Sequence, residues 1–379
     1  MFGFDYRNPV RIAFGKGAIG NLGDLVPKDG PVLVTYGGGS VKANGVLAQV
    51  MAALIDRQVL EFGGIEPNPR YETLMRAVDL ARREKVAFLL AVGGGSVLDG
   101  TKFVAAAIPF ADGDPWRIVS ENSPVQAAVP LGCVLTLPAT GSEMNGYAVV
   151  SRDSTQEKLP FGSPLVYPVF SVLDPATSFS LPPRQVANGI VDTWVHVLEQ
   201  YLTYPCAAPL QDRQAEAILL TLLEEGPKTL AEPRDYDARA NLFWCATQAL
   251  NGTISCGVPQ DWSTHYIGHE LTAFFGIDHA QSLAVVLPGV LRVRLAAKRE
   301  KLVQYGRRVF GTDDPEAAID RTEEFFRSLG VKTTLADYGI PADAADRVAA
   351  RFAERGARLG EKEDMTPDQV RQALAQRVG

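Results

Sequence analysis

Two apolar runs that end in the same four residues constrain this chain most. Residues 31–36 (Pro-Val-Leu-Val-Thr-Tyr) lead into Gly37-Gly38-Gly39-Ser40, and residues 87–92 (Ala-Phe-Leu-Leu-Ala-Val) lead into Gly93-Gly94-Gly95-Ser96. A short run that is apolar at nearly every position has no wet face, so it reads as a strand buried on both sides. Residues 58–62 read as another strand, followed by a turn-rich stretch from Gly63 to Pro69. Residues 131–137 read as a further buried strand, ending in Pro138-Ala139-Thr140-Gly141-Ser142-Glu143. Residues 70–84 have helical periodicity, and a helix is expected from about Val97. Continuous strands alternating with helices specify a parallel sheet covered on both faces. After Leu181-Pro182-Pro183 the strand-like runs largely stop, and helical periods broken by Pro, Gly and Asn take over. The expected fold is an α/β domain over residues 1–178 followed by an all-α domain over residues 179–379.

Both Gly-rich segments sit at the carboxyl ends of expected strands, where open α/β sheets bind ligands. Glycines let the backbone approach a phosphate, and free N–H groups at a helix start attract the anion. Neither segment is a GxGxxG fingerprint or a Walker A loop, and a Gly-rich turn of this kind is often structural only. Asp99 and Lys102 follow the second segment, and the plain reading of Asp99 is a hydrogen bond to the loop backbone. Thr136, Thr140 and Ser142 bring hydroxyls to a third strand end. Three polar loops on one sheet edge suit a dinucleotide better than a mononucleotide. After the first Gly-rich segment no Asp or Glu occurs before residue 56, whereas Ser40 and Lys42 are close by. An acid that would hydrogen-bond a ribose 2′-hydroxyl and repel a 2′-phosphate is thus lacking, so a dinucleotide that carries a 2′-phosphate is expected to be preferred to one that does not.

The chain has four histidines, at 196, 265, 269 and 279. Asp192/His196 and His265/His269 are spaced i, i+4, which puts each pair on one face of a helix. Carboxylate and neutral imidazole are common ligands of a divalent transition metal. Residues 184–202 are apolar nearly all round, apart from a stripe of Asp192, His196 and Glu199. A buried charged stripe is costly unless it is paired or bound to metal. Glu199 reads as a fourth donor or, equally, as a supporting or helix-end residue. The second pair lies on a helix expected to open near Asp261, as N-cap, and to stop at Gly276. His279 opens the next helical run.

Composition sets limits. The net charge is −7, with no Lys/Arg run, so neither nucleic acid nor an anionic membrane surface is an expected partner. No stretch of about 18 uninterrupted apolar residues occurs. The first residues lack the basic-then-apolar order of a signal peptide, and the cysteines at 133, 206, 245 and 256 form no CxxC. A cytoplasmic protein is therefore expected.

Four motifs in order resemble the metal-dependent, or iron-containing, alcohol dehydrogenases: Gly93-Gly-Gly-Ser-Val-Leu-Asp-Gly-Thr-Lys102, Leu137-Pro-Ala-Thr-Gly-Ser-Glu143, Asp192-x-x-x-His196-x-x-Glu199, and His265-x-x-x-His269 with His279. The resemblance covers essentially the whole chain. Strings such as Gly64-Ile-Glu-Pro-Asn-Pro69 and Leu181-Pro-Pro-Arg-Gln-Val186 are more narrowly similar to the broad-range NADPH-dependent aldehyde reductases, often called butanol dehydrogenases. The resemblance implies a Rossmann-like dinucleotide-binding first domain and a metal-binding second one. It implies Asp192, His196, His265 and His279 as ligands of one divalent ion, Fe2+ or Zn2+, with His269 near the site but not bound. It implies Gly94, Gly95, Ser96 and Asp99 on the pyrophosphate side of NADP(H), Asn68 near the adenosine, and Thr136, Thr140 and Lys158 along the rest of the cofactor. The Gly37-Gly38-Gly39-Ser40 loop completes the expected cofactor set. Ala280 departs from the glycine of many members, a change shared within the narrower branch. Short- to medium-chain aldehydes and primary alcohols are the implied substrates. The strand-like residues 10–14 are expected to pair across a homodimer, as in many relatives.

The implied chemistry is hydride exchange with a nicotinamide, helped by a Lewis-acidic metal in the cleft between the domains. His269, with an ordinary pKa of about 6.5, is the expected proton carrier. The rival is a metal-dependent hydrolase at the same Asp/His site, with Glu199 as base for water. It would leave the Gly-rich strand ends idle.

Overall fold

The computed structural model describes residues 1–379. The apolar runs become the strands β1 (Arg11–Phe14), β2 (Val32–Tyr36), β3 (Val59–Phe62), β4 (Phe88–Gly94) and β5 (Leu131–Leu137). A hairpin of β6 (Tyr147–Arg152) and β7 (Glu157–Gly162) follows, and then β8 (Phe170–Leu173). Six strands form one sheet in the order β1-β8-β5-β4-β2-β3, and every neighbouring pair is parallel. The strand order reverses between β2 and β4. Both Gly-rich segments leave the sheet there, at the kind of crevice where such folds take ligands.

Alternate residues of one strand feed opposite cores. Leu33, Leu89, Ala91 and Leu135 pack with Leu74, Leu98 and Phe103, whereas Val32, Val34, Leu90 and Val92 pack with Ile19, Leu22 and Val50. This is why nearly every position of β2 and β4 is apolar: neither face is wet. Gly132 matters for the same packing, because a Cβ there would lie 2.4 Å from the Phe170 ring.

The chain divides into two compact units, one of residues 7–181 with 233–247, the other of residues 1–6, 182–232 and 248–379. The Tyr236–Ala249 helix thus gives most of its length to the α/β unit, where Phe243 is fully buried in one of the sheet's cores. In the helical unit Ile267, Leu271, Val285, Val286, Leu335, Val348 and Phe352 make a core. No single helix is long and apolar enough to cross a membrane.

The structure departs from expectation at several ends. The helix after β4 starts at Gly95 rather than Val97, since glycine accepts the turn directly. The His265 helix starts at Ser263, two residues after Asp261, because Trp262 takes a left-handed conformation (φ 65°). The β6–β7 hairpin and β8 carry no continuous apolar run: β7 holds Glu157, Lys158 and Pro160, and β8 has four residues.

Candidate active site

Asp192 and His196 lie one turn apart on the Pro183–Tyr201 helix, His265 on the Ser263–Phe275 helix, and His279 at the first residue of the His279–Val293 helix. The last two helices approach closely at Gly268, where a Cβ would stand 2.8 Å from Ser282 Oγ and 3.0 Å from a Leu283 methyl. Arg184 and Asn188 donate to Asp278 Oδ2 at 2.7 and 3.2 Å, which fixes the residue before His279. The Pro183–Tyr201 helix is backed by Trp194, fully buried against Phe310, Phe325 and Phe326.

The result is a convergence of donors. Asp192 Oδ1 lies 3.4 Å from His196 Nδ1, 3.9 Å from His265 Nε2 and 3.6 Å from His279 Nε2. One ligand atom each from Asp192, His265 and His279 fall within 4.8 Å of one another. His196 stands just outside that trio, yet its ring centroid is 4.6 Å from that of His265. Both ring nitrogens of His265 are buried without a hydrogen-bond partner. A buried unsatisfied polar group costs about 1–3 kcal/mol, a cost that metal ligation would remove. One carboxylate and three imidazoles are also a chemically suitable set for a divalent transition metal. The residues present therefore fit a metal ion.

His269 is the next turn of the same helix as His265. Its ring centroid is 5.3 Å from that of His279 and 6.4 Å from that of His265, with the last pair nearly perpendicular. Trp262 and Tyr266 wall the group, at 5.2 Å from the His265 ring and 6.4 Å from the His269 ring.

Glu199, read from sequence as a donor, a base or a support, is bound to the turn that precedes His265. It is 3% exposed, and its Oε1 accepts from Thr264 N at 2.9 Å. Burial first, and the nearby Asp261 charge second, push its pKa well above the ordinary carboxylate range. The oxygen left over, Oε2, is shut off from solvent, so the hydrolase reading lacks a base that reaches water.

In the α/β unit the expected cofactor residues lie at three places, one of them the Gly37–Ser40 loop after β2. Asn68, Ser96 and Lys158 meet: Asn68 N donates to Ser96 Oγ at 3.2 Å, and Lys158 Nζ donates to Asn68 Oδ1 at 2.8 Å. Lys158 reaches in from the hairpin strand β7. The second group is Gly94, Gly95, Asp99, Thr136 and Thr140, where β4 and β5 end. A Cβ on Gly95 would lie 2.5 Å from Thr140 Oγ1, so glycine is required there. Both carboxylate oxygens of Asp99 are occupied, by Ser142 Oγ at 2.7 Å and Val149 N at 3.0 Å. Asp99 therefore ties the Thr140–Ser142 loop to the helix. Lys102 is fully buried and spent on Asn145 and the Tyr147 carbonyl, and burial draws its pKa down to about 8.

Beside the Gly37–Ser40 loop, bound to Tyr36 and Lys42 on either side of it, stands a residue that sequence reading missed. Glu61 of β3 accepts from Tyr36 OH at 2.9 Å and pairs with Lys42 at 3.3 Å. Only the β2–β3 register, which sets Val34 opposite Glu61, reveals it. Lys42, noted from the sequence for its place near this loop, shares its charge with a carboxylate.

Residues 9–175 match the family described as iron-containing alcohol dehydrogenase, and residues 186–378 match the C-terminal part of the Fe-containing alcohol dehydrogenase family. The chain is 57% identical over 377 residues to the NADPH-dependent aldehyde reductase YqhD of Escherichia coli, covering 97% of each. It is 39% identical to NADH-dependent butanol dehydrogenase A of Clostridium acetobutylicum, covering 92% of each. The crystal structure of Escherichia coli YqhD superposes with a TM-score of 0.97 at 55% identity over 99% of both chains. That of NADH-dependent butanol dehydrogenase A from Thermotoga maritima does so with 0.95 at 34% identity over 100% of this chain and 99% of that one. This chain belongs to the iron-containing alcohol dehydrogenase family.

Proposed function

We propose that this protein is an NADP(H)-dependent, metal-dependent alcohol dehydrogenase that works as an aldehyde reductase on short- to medium-chain aldehydes and primary alcohols. The observation that carries the reading is the convergence of Asp192, His265 and His279, with donor atoms within 4.8 Å, in a chain of this family. The name of the 57% identical Escherichia coli relative supports the cofactor and the substrate class.

Asp192, His196, His265 and His279 hold the ion, and their donor set suits Fe2+ and Zn2+ alike. When bound, the ion supplies Lewis-acid polarisation of a carbonyl and the nicotinamide supplies the hydride. The amides at the start of the Gly95–Ala107 helix attract the pyrophosphate. Ser96 and Asn68, braced by Lys158, line the cofactor's path, and Thr136 and Thr140 continue it. Asp99 acts by holding the Thr140 loop. Gly37, Gly38, Gly39 and Ser40 receive the 2′-phosphate. His269 carries the proton that turns the alkoxide into alcohol. Trp262 and Tyr266 shield this exchange from water.

The outer edge of β1, an edge strand of the sheet, pairs two copies into a homodimer. The cysteines form no disulfide, in keeping with work in the cytoplasm.

The test is NADPH oxidation by short- and medium-chain aldehydes with and without chelator, together with His265→Ala and His279→Ala. Each variant is expected to fold, to lose most bound metal by elemental analysis, and to lose nearly all turnover, since one lost ligand leaves a three-point site. Full metal occupancy in either variant would remove it from the ligand set. Undiminished turnover under chelator would sink the metal-dependent reading.

A further inference from the structure

Two other helices lie in the chain between the helix of Asp192 and His196 and that of His265, so something must set the first pair against His265. Glu199 is placed to do this. It lies three residues after His196, and its Oε1 accepts from the amide of Thr264, the residue before His265, at 2.9 Å. Its main-chain oxygen accepts from Asp261 N at 2.9 Å. Residues 261–264, the turn that delivers His265, therefore hang from Glu199 by two hydrogen bonds.

That turn is strained. Trp262 has φ 65° and ψ 4°, a left-handed conformation that a bulky side chain keeps only when its surroundings over-determine it. Asp261 holds the other side: its Oδ1 accepts from Ser263 N at 3.0 Å and its Oδ2 meets Lys298 Nζ at 2.8 Å. Lys298, 1% exposed, also meets Glu361 Oε2 at 2.9 Å and Leu202 O at 2.6 Å. Glu199 Oε2 is buried without a partner. An apolar side chain would fill this space at less cost, so the carboxyl keeps its place through what it holds.

We propose that Glu199 is a positioning residue of the metal centre, which fixes His265 relative to Asp192 and His196 through the Thr264 amide and the Trp262 turn without binding the ion. The proposal rests on the metal reading above. The main-chain bond to Asp261 N survives any substitution, so what a variant changes is the side-chain oxygen that accepts from Thr264 N, and there the acceptor matters and not the negative charge.

Glu199→Gln keeps that acceptor, and Glu199→Met keeps the volume without it. Zn2+ affinity of the full chain is measured by competition with a chelator, beside the thermal midpoint of the metal-free protein. Glu199→Gln should bind Zn2+ close to the unmodified chain. Glu199→Met should bind it roughly 10–100-fold more weakly, the usual effect of losing a residue that orients a ligand, with the metal-free midpoint little changed. Unmodified affinity in Glu199→Met overturns the proposal. So does an equal loss in both variants, which would make the charge or direct ligation decisive. Failure of either variant to fold would make Glu199 a folding determinant and also overturns it. If the unmodified chain takes no Zn2+, it is the metal reading that fails, a distinct outcome.

Discussion

His269 and Gly38 show how much single positions carry. His269 shares a helix with His265, yet its ring turns nearly perpendicular to that neighbour, and it is not one of the three residues whose donor atoms lie within 4.8 Å of one another, although its ring centroid is 5.3 Å from that of His279. His269→Ala is therefore expected to keep its metal while turnover falls and the pH–rate profile flattens near neutrality. Loss of the metal would make it a ligand and displace one of the four. Gly38 stands in open space: a Cβ there meets nothing within 4 Å, so an aspartate fits without moving the loop. The preference for NADPH should be about ten-fold in kcat/KM, or about 1.4 kcal/mol. Gly38→Asp should erase or reverse it through repulsion of the 2′-phosphate. The Glu61 carboxylate beside this loop is already matched by Lys42 and Tyr36, so a second, unmatched acid is the effective change. Equal kcat/KM for the two cofactors in the unmodified chain would disprove this reading of the loop.

At the scale of elements, the loop after β5 is tied to the Tyr236–Ala249 helix by a buried acid. Glu143 is fully buried; Thr247 Oγ lies 2.5 Å from its Oε1 and 3.1 Å from Phe243 O. One hydroxyl proton cannot serve both oxygens, so a protonated Glu143 completes the pair. Burial raises its pKa above 4.5. The folded state then binds more protons than the unfolded one above that value. Stability is lost as pH rises from about 4.5 through the raised pKa. Glu143→Gln removes the titration, so its melting temperature should fall less than that of the unmodified protein between about pH 5 and pH 8. Parallel pH dependences would show that Glu143 is ionised in the folded state. Elements were legible in the sequence where one physical signal dominated. β2, β4 and β5 are apolar on both faces, and the histidine pairs keep helical spacing. The β6–β7 hairpin, the switch of the Tyr236–Ala249 helix to the α/β unit and the Lys42–Glu61 pair depend on tertiary register, which has no local signal.

At the scale of the whole molecule, all four proposed ligands fall in the helical unit, on three helices that meet only through tertiary packing. Sequence spacing located Asp192/His196 and His265 separately and offered Glu199 as a donor or a support; it said nothing of Gly268 or Asp278, where these helices approach one another. Such a centre belongs to the folded state, so an ion bound there stabilises that unit by mass action. At about 100 times its Kd the gain is about 2.7 kcal/mol. The gain has a place: the strained turn at Trp262 and the first turns of the Ser263–Phe275 and His279–Val293 helices carry the ligands. Zn2+ should therefore slow amide hydrogen exchange over residues 261–284 and in the Asp192–His196 turn, while strands β2 and β4 exchange as before. Chelator should reverse the effect. Uniform protection throughout the chain, or none in these helices, would separate metal binding from the Asp192–His265–His279 cluster and leave its buried imidazoles as packing alone.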